Sequence, residues 1–565
     1  MPISRSVTSF LGELKRRKVF RAAAAYAVVA FVVIQAAQLL IDALSLPAWS
    51  LPLITVLAIL GFPLALVLSW AFDLTEEGIR RDGAAAAASP ALGAPVVVER
   101  SIPPERSIAV LPFANLSGDD KDDYFSDGIT EDIINGLSHL RDLRVISRTS
   151  VMRYKGAQVS VGQIAKDLGV ATVLEGSVRR AGDRVRISAK LIDALEDRHL
   201  WVESYDHSLR DVFAIQSDVS NRIAKALAGE LSVEEKRDLS RRPTEDVEAY
   251  DLYLRGRSLW SRRTAEGIDK SIEYYQGALL RDPDCALAHA GLADSYVTLG
   301  IYGARAPDEL MPLAEQSARR ALELDPRSGE ALTALAAVRS LYHWDWAGAE
   351  QDYLRSMELQ PQYPVAHQWY GSNLLTPLRR FDEALAAIGR ARDLDPFGAA
   401  VATSRAVIHL YAGDFDRALA TLDEVLDVHD YFGMAFYFRG MALEAAGRSD
   451  EAVDSLEKAV ALTDSSSEAM AALGHAQATA GKTEAARRIL ADLESRFERA
   501  YGSPALLSQI HVALGDHDRA LDLLDDAVEK RAADLIWLAV RPAYRPLRDH
   551  PRFETLVERV GLTSR

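Results

Sequence analysis

The chain has 565 residues, too many for one ordinary core, so several folded units are expected. A composition that is 48% hydrophobic and 26% charged excludes a mainly disordered chain, and a mean hydropathy near zero excludes a polytopic transporter. The formal net charge of -16 argues against nucleic acid as the main partner, and the single cysteine, Cys285, excludes a disulfide framework and a Cys-based zinc site.

Residues Ala22 to Ile41 and Ala43 to Phe72 carry no formal charge, with only Asp42 between the two runs. At about 1.5 Å per helical residue, each run can cross about 30 Å of hydrocarbon. The expectation is a two-helix transmembrane hairpin, with helices over 19–42 and 51–72 joined by a short extracytoplasmic loop over 43–50. Lys15, Arg16, Arg17, Lys18 and Arg21 flank the first run and Arg80 and Arg81 the second, whereas the loop has no Lys or Arg. The positive-inside rule then puts the basic N-terminus, residues 1–18, and everything after residue 73 in the cytoplasm. The localisation expected is the inner (plasma) membrane, with membrane lipid contacted by the hairpin. Two spans without an internal ionisable group read as an anchor, not a transport path. Residues 73–106, with Ala84 to Ala88 and Pro90, Pro95, Pro103 and Pro104, read as an Ala/Pro-rich linker.

An α+β domain is expected over 107–240. Ser107 to Phe113 is a short apolar run, followed by a helical pattern at Ile129, Ile133, Ile134, Leu137 and Leu140, then by the strand Leu143 to Ile146. A helix is expected over Val161 to Leu168. Two strands flank Ala181-Gly182-Asp183, and in the second, Val185, Ile187, Ala189 and Leu191 alternate with polar residues, the period of a hairpin. A strand near His199 to Tyr205 and a helix from Phe213 to Leu231 complete the unit. The acidic cluster Asp119, Asp120, Asp122, Asp123 and Asp127 fails as an EF-hand. With Gly128 at the sixth position, Phe125 and Ile134 stand where oxygen ligands are required, so a solvated loop before a helix N-terminus is expected.

The segments SIAVLPFANLSGDDKDDYFSDGITEDIINGLSHL, RVISRTSVMRYKG and VLEGSVRRAGDRVRISAKLIDA resemble the TolB-like amino-terminal domain of bacterial signalling proteins. The flanking FLGELKRRKVFRAAAAY and LGFPLALVLSWAFDLTEEGIRR resemble the membrane hairpin of that family. The resemblance implies a following set of tetratricopeptide repeats. Some members carry an adenylate cyclase or winged-helix module ahead of the spans. About eighteen residues stand there in this chain, below the size of a folded domain, so neither activity is carried over.

Ala314, Ala349, Ala384, Ala418, Ala452, Ala486 and Ala520 are spaced by 35, 35, 34, 34, 34 and 34 residues. A 34-residue period signals tetratricopeptide (TPR) repeats. Twelve residues upstream of all but the first stand Ala337, Ser372, Ala406, Gly440, Gly474 and Ser508, all small, and Gly413, Gly447, Gly481 and Gly515 recur at 34. An all-α TPR solenoid of about eight repeats is expected over 243–531, with a terminal cap over 532–565. The fold class expected is thus multidomain: transmembrane hairpin, α+β TolB-like domain and TPR solenoid. Residues 243–565 hold 35 Lys/Arg and 51 Asp/Glu, so the whole excess of negative charge lies in the array and cap.

First helices line the concave side of such an array. The positions that face the groove are Val338, Trp369, Asn373, Thr403, Val407, Tyr437, Met441, His475 and Gln509. These are not the Lys and Asn of a carboxylate clamp, and they suit a peptide with large side chains; packing of Trp369 and Tyr437 between helices is the alternative. Ala480-Gly481-Lys482-Thr483 lacks the glycine spacing of a phosphate loop, and no HExxH, His/Cys grouping or nucleophile motif occurs. No cofactor, metal or enzymatic activity is expected. The function expected is a membrane-anchored cytosolic scaffold that binds partner proteins through the array, in bacterial sensing or signalling. Alternatives are a ligand sensor or enzyme with its site in the middle domain, or a self-associating assembly factor.

Overall fold

The structure is a computed structural model, and it describes residues 72–75, 78–81, 106–117, 123–182, 184–208, 212–227, 231–239, 244–261, 264–303 and 305–563. The chain divides into two compact units, Met1–Val98 and Glu99–Arg565. In the first, strands β1 (Phe72–Thr75) and β2 (Gly78–Arg81) pair antiparallel, Phe72 opposite Arg81.

The expected fold class and localisation are corrected here. Among the described residues no helix is long and apolar enough to cross a membrane. The two expected spans, 19–42 and 51–72, lie outside the described residues except for Phe72, which opens a strand. A charge-free run of the right length is necessary for a span but not sufficient for one. The architecture of the described residues is a mostly helical TPR-like solenoid with a small sheet domain, and they contain no two-span membrane hairpin.

The sheet domain opens the second unit. Its strands are β3 (Ser107–Val110), β4 (Ala114–Asn115), β5 (Arg144–Val145), β6 (Thr172–Ala181), β7 (Arg184–Asp193) and β8 (Arg198–Ser208). The sheet runs β5-β3-β6-β7-β8, with β4 also paired to β6; β3 is parallel to β5 and β6, and β6, β7 and β8 are antiparallel. In β7, Val185, Ile187, Ala189 and Leu191 are buried while Arg184, Arg186 and Lys190 are exposed, because period-two alternation gives each face one chemistry. Helices α1 (Asp123–Ser138), α2 (Arg148–Met152), α3 (Val161–Leu168), α4 (Val212–Leu227) and α5 (Val233–Leu239) accompany the sheet. The α1 helix buries Ile129, Ile133 and Leu137 completely or nearly so. Of the expected solvated cluster, Asp119, Asp120 and Asp122 lie outside the described residues; Asp127 is buried and pairs with Lys155 at 2.8 Å, and the more exposed Asp123 pairs with the same ammonium at 3.0 Å.

The array follows as eight helix pairs. The first four are α6 (Val247–Trp260) with α7 (Ala265–Arg281), α8 (Ala286–Ile301) with α9 (Pro307–Leu324), α10 (Gly329–Val338) with α11 (Trp346–Leu359), and α12 (Pro364–Trp369) with α13 (Phe381–Leu394). The last four are α14 (Ala399–Ala412) with α15 (Phe415–Val428), α16 (Gly433–Ala445) with α17 (Ser449–Leu462), α18 (Ser467–Thr479) with α19 (Thr483–Phe497), and α20 (Pro504–Ala513) with α21 (His517–Glu529). A π-helical turn prolongs α10 over Arg339–His343 and α12 over Tyr370–Leu375. All seven alanines of the 34–35-residue series are fully buried, since only a methyl fits where paired helices cross. A Cβ on Gly474 would stand 2.7 Å from the Ile510 side chain, so glycine there is a requirement of close approach. Gly413, Gly447, Gly481 and Gly515 have φ of +85°, +80°, +76° and +81°, the left-handed conformation that ends a helix without a Cβ penalty.

The sheet domain is bonded to the array through polar contacts. Arg257 on α6 meets Glu131 on α1 at 2.5 Å, and Tyr124 donates to Asp251 at 2.5 Å. The hydroxyls of Ser147 and Ser150 both donate to Asp395 at 2.6 Å, and Gln360 donates to Ser138 at 2.7 Å. These bonds reach the first, third and fourth helix pairs, so the domain and the start of the array share a polar seam.

The inner face of the repeat array as candidate functional site

Beyond α21 the 34-residue period stops. The chain forms two short 3-10 turns, Ala533–Trp537 and Pro542–Leu547, then α22 (Pro551–Arg559). Proline at 542 and 546 fixes φ and forbids a continuous helix, which leaves an elongated strap. The strap runs over first helices: the Ala533–Trp537 turn touches α8 and the turn after α10, and the Pro542–Leu547 turn touches α16 and α20. A segment that meets first helices from repeats this far apart lies on the inner face of the superhelix.

Several strap side chains have specific seats. Trp537 lies against Tyr411 on α14, ring centroids 6.3 Å apart. Arg541 is 4% exposed; its guanidinium sits 5.9 Å from the Trp537 ring, with Tyr411 and Tyr437 beside it. Burial pushes the pKa of Tyr437 up, so the phenol stays neutral. Tyr544 donates to the Ala505 carbonyl at 2.9 Å, and Ser503 donates to Asp534 at 2.8 Å. Farther on, the Val560 carbonyl accepts from the Trp346 indole at 3.0 Å, and Arg531 covers the Trp344 ring at 4.2 Å. Strap and α22 thereby tie the last repeat back to the third.

The nine residues expected to line the groove are all buried. Val407, Tyr437 and Met441 share one apolar cluster with Val540 of the strap, with Trp537 packed against it. Val338 and Trp369 belong to the cluster that continues into Ala533 and Ile536. Asn373 accepts from Ser372 at 3.2 Å, and Thr403 is 4% exposed on α14. His475 pairs with Glu444 at 2.5 Å, and Gln509 turns back to the Ala505 carbonyl at 3.3 Å. Sequence periodicity locates the helix face but not its occupant. The signal for the occupant is Trp537-Leu538-Ala539-Val540-Arg541-Pro542-Ala543-Tyr544, an aromatic, arginine and proline stretch with no counterpart 34 residues upstream. Among the described residues no group of His, Cys, Asp and Glu is arranged to hold a metal ion.

Comparison with known proteins assigns the two parts of this unit separately. The tetratricopeptide repeat family model matches residues 253–306 and 403–467, and the model of the second domain of HilA/YgeH-like transcriptional regulators matches residues 104–225. "Putative adenylate cyclase 3" of Rhizobium meliloti (strain 1021) is 42% identical over 211 residues, 37% of this chain and 36% of that protein. "Transcriptional regulator HilA" of Salmonella typhimurium is 23% identical over 165 residues, 29% of this chain and 30% of that protein. The chain thus spans about a third of the length of the curated relatives it matches. A tetratricopeptide repeat protein from Parabacteroides merdae superposes with a TM-score of 0.35 at 13% identity, covering 48% of this chain and all of that one. The helix pairs, their 34-residue period and the matched family model together identify the array as tetratricopeptide repeats.

Proposed function

We propose that this chain is a protein-interaction scaffold whose repeats take a peptide segment of a partner along Val407, Tyr437 and Met441, where its own strap now lies. The observation that supports this reading is the strap itself. An aromatic residue and, four positions on, an arginine are held against Tyr411 and Tyr437, so the face accepts a peptide of that chemistry. In this reading residues 533–547 are the resident occupant, and a partner segment with an aromatic-x-x-x-Arg pattern replaces them. The resemblance of the sheet domain to the TolB-like domain points the scaffold toward bacterial sensing or signalling, with that domain as a rigid base for the array. The role is one of binding, without catalysis by this chain.

The test uses a fluorescent peptide of residues 532–548 titrated into the full chain and into its Arg541→Ala variant. The variant loosens its own strap and is expected to bind the peptide about tenfold more tightly than the parent, a difference of about 1.4 kcal/mol. Equal binding by both, with the strap of the variant released as judged by limited proteolysis, refutes the reading. Adenylate cyclase activity in the purified chain would replace it with an enzymatic one.

A further inference from the structure

A cleft of about 320 Å³ lies between the strap and the inter-helix turns of the fourth and fifth repeats. Arg379, Arg545 and Arg548 stand on its wall, with Phe381, Tyr411 and Val540 supplying apolar surface. Among the described residues no carboxylate forms an ion pair with any of the three arginines, whereas the neighbouring Arg380 is engaged by Glu350 at 2.7 Å and Glu383 at 2.6 Å. Three unpaired guanidiniums on one cavity are conspicuous in a chain of net charge -16. They repel one another where water is partly excluded, an arrangement that an anion relieves.

Two further observations point the same way. Among the described residues the Nε of Arg548 is buried without a hydrogen-bond partner, and the one bond of its guanidinium, to the Val540 carbonyl, is long at 3.4 Å. Burial, together with the charges of Arg379 and Arg545, pushes its guanidinium below the usual arginine range. Arg379 holds φ of +61°, the left-handed region that a side chain larger than glycine rarely adopts. A glycine would relieve that backbone, so the cation is kept at a conformational cost, as occurs where a side chain has a task.

We propose that this cleft binds a small organic phosphate, its phosphoryl oxygens held by Arg379, Arg545 and Arg548 and its organic body resting on Phe381 and Val540. Several forked donors match a multi-oxygen dianion better than a monocarboxylate, which one guanidinium satisfies. The volume lies at the small end of ligand sites, enough for a phosphomonoester with a ring-sized substituent. Two of the cations come from the strap and one from the array, so the ligand recognises only the docked strap and stabilises it by mass action. The inference goes beyond the scaffold reading and needs no peptide partner for its test.

The test titrates the full chain with phenyl phosphate, inorganic phosphate and benzoate in low-chloride buffer, read by calorimetry and by thermal unfolding. Phenyl phosphate is expected to bind most tightly, inorganic phosphate next, and benzoate more weakly than phenyl phosphate by about tenfold or more. Arg379→Gly, which suits the left-handed backbone while removing the cation, is expected to keep the ligand-free melting temperature and to weaken phenyl phosphate binding by about tenfold. Arg548→Gln is expected to weaken it likewise. The proposal is overturned if phenyl phosphate gives neither heat nor a thermal shift at about 10 mM, if benzoate binds as well, or if both variants bind like the parent.

Discussion

Replacing Arg257 by Met should weaken the junction between the sheet domain and the array. Arg257 is 6% exposed and its guanidinium serves three carboxylates: Glu131 at 2.5 Å, Glu330 at 3.7 Å and Asp294 at 4.0 Å. Methionine fills much of the same volume but leaves Glu131, among the described residues, with Arg148 at 3.4 Å, and takes the guanidinium away from Glu330 and Asp294. Breaking a buried pair from one side costs about 3–5 kcal/mol at neutral pH, because uncompensated charge stays behind. Burial works to raise the Glu131 pKa, but Arg257 and Arg148 outweigh it and hold the carboxyl below its ordinary value. Its stabilisation is therefore present above the unfolded-state pKa and lost as pH falls through the lower folded-state value. The R257M deficit should shrink accordingly on acidification. Guanidinium unfolding followed by hydrogen exchange of α1 and α6 measures it, and the double variant E131Q/R257M should recover part of the loss. A cost below about 1 kcal/mol, or loss of protection in α1 with α6 unchanged, would refute the reasoning that this cluster joins the two parts.

Glu468, on α18, is pushed up to about 7 by burial, with Asp534 adding to the effect. A raised acid stabilises the fold below its ordinary pKa and stops doing so as pH rises toward 7, so the strap should resist proteolysis better at pH 5 than at pH 8, and E468Q should flatten that dependence. The Cys285 thiol, 1% exposed and pushed up to about 11 by burial, should ignore a thiol reagent at pH 8 until denaturant is added; rapid labelling of the native chain would contradict its placement. In Gly440→Ala the new methyl meets the Leu456 side chain, an overpacking that should cost about 1–3 kcal/mol in denaturant melts, and an unchanged midpoint would show that α16 and α17 can part without penalty.

Different parts of this molecule were legible to different degrees, for physical reasons. The seven spaced alanines could be read because a helix crossing tolerates one size of side chain, and repetition multiplies that constraint. The β6–β7 hairpin was legible for a similar reason: alternation along Val185 to Leu191 is a local consequence of one buried face. Contacts between distant segments leave no such period. Nothing near Asp395 announces Ser147, 248 residues away, and nothing on α14 announces Trp537. Val407, Tyr437 and Met441 follow from register, yet they cluster with Val540 of a strap that sequence reasoning assigned to capping the last repeat. Length and charge-free composition suggested membrane helices at 19–42 and 51–72, whereas among the described residues no helix is long and apolar enough to cross a membrane.

The strap also orders events in time. Helix pairs of the array close contacts between neighbours in sequence and can form as the chain emerges from the ribosome, whereas Trp346 must wait for the Val560 carbonyl, 214 residues later. At about 5–20 residues per second, synthesis leaves the inner face bare for seconds after its helices exist. During that interval the strap is not yet there, and in the scaffold role proposed above a partner segment would meet no competitor on the inner face. Afterwards, in that role, an arriving segment would first wait for the strap to leave, so the history of each molecule, and not affinity alone, would decide what the array holds.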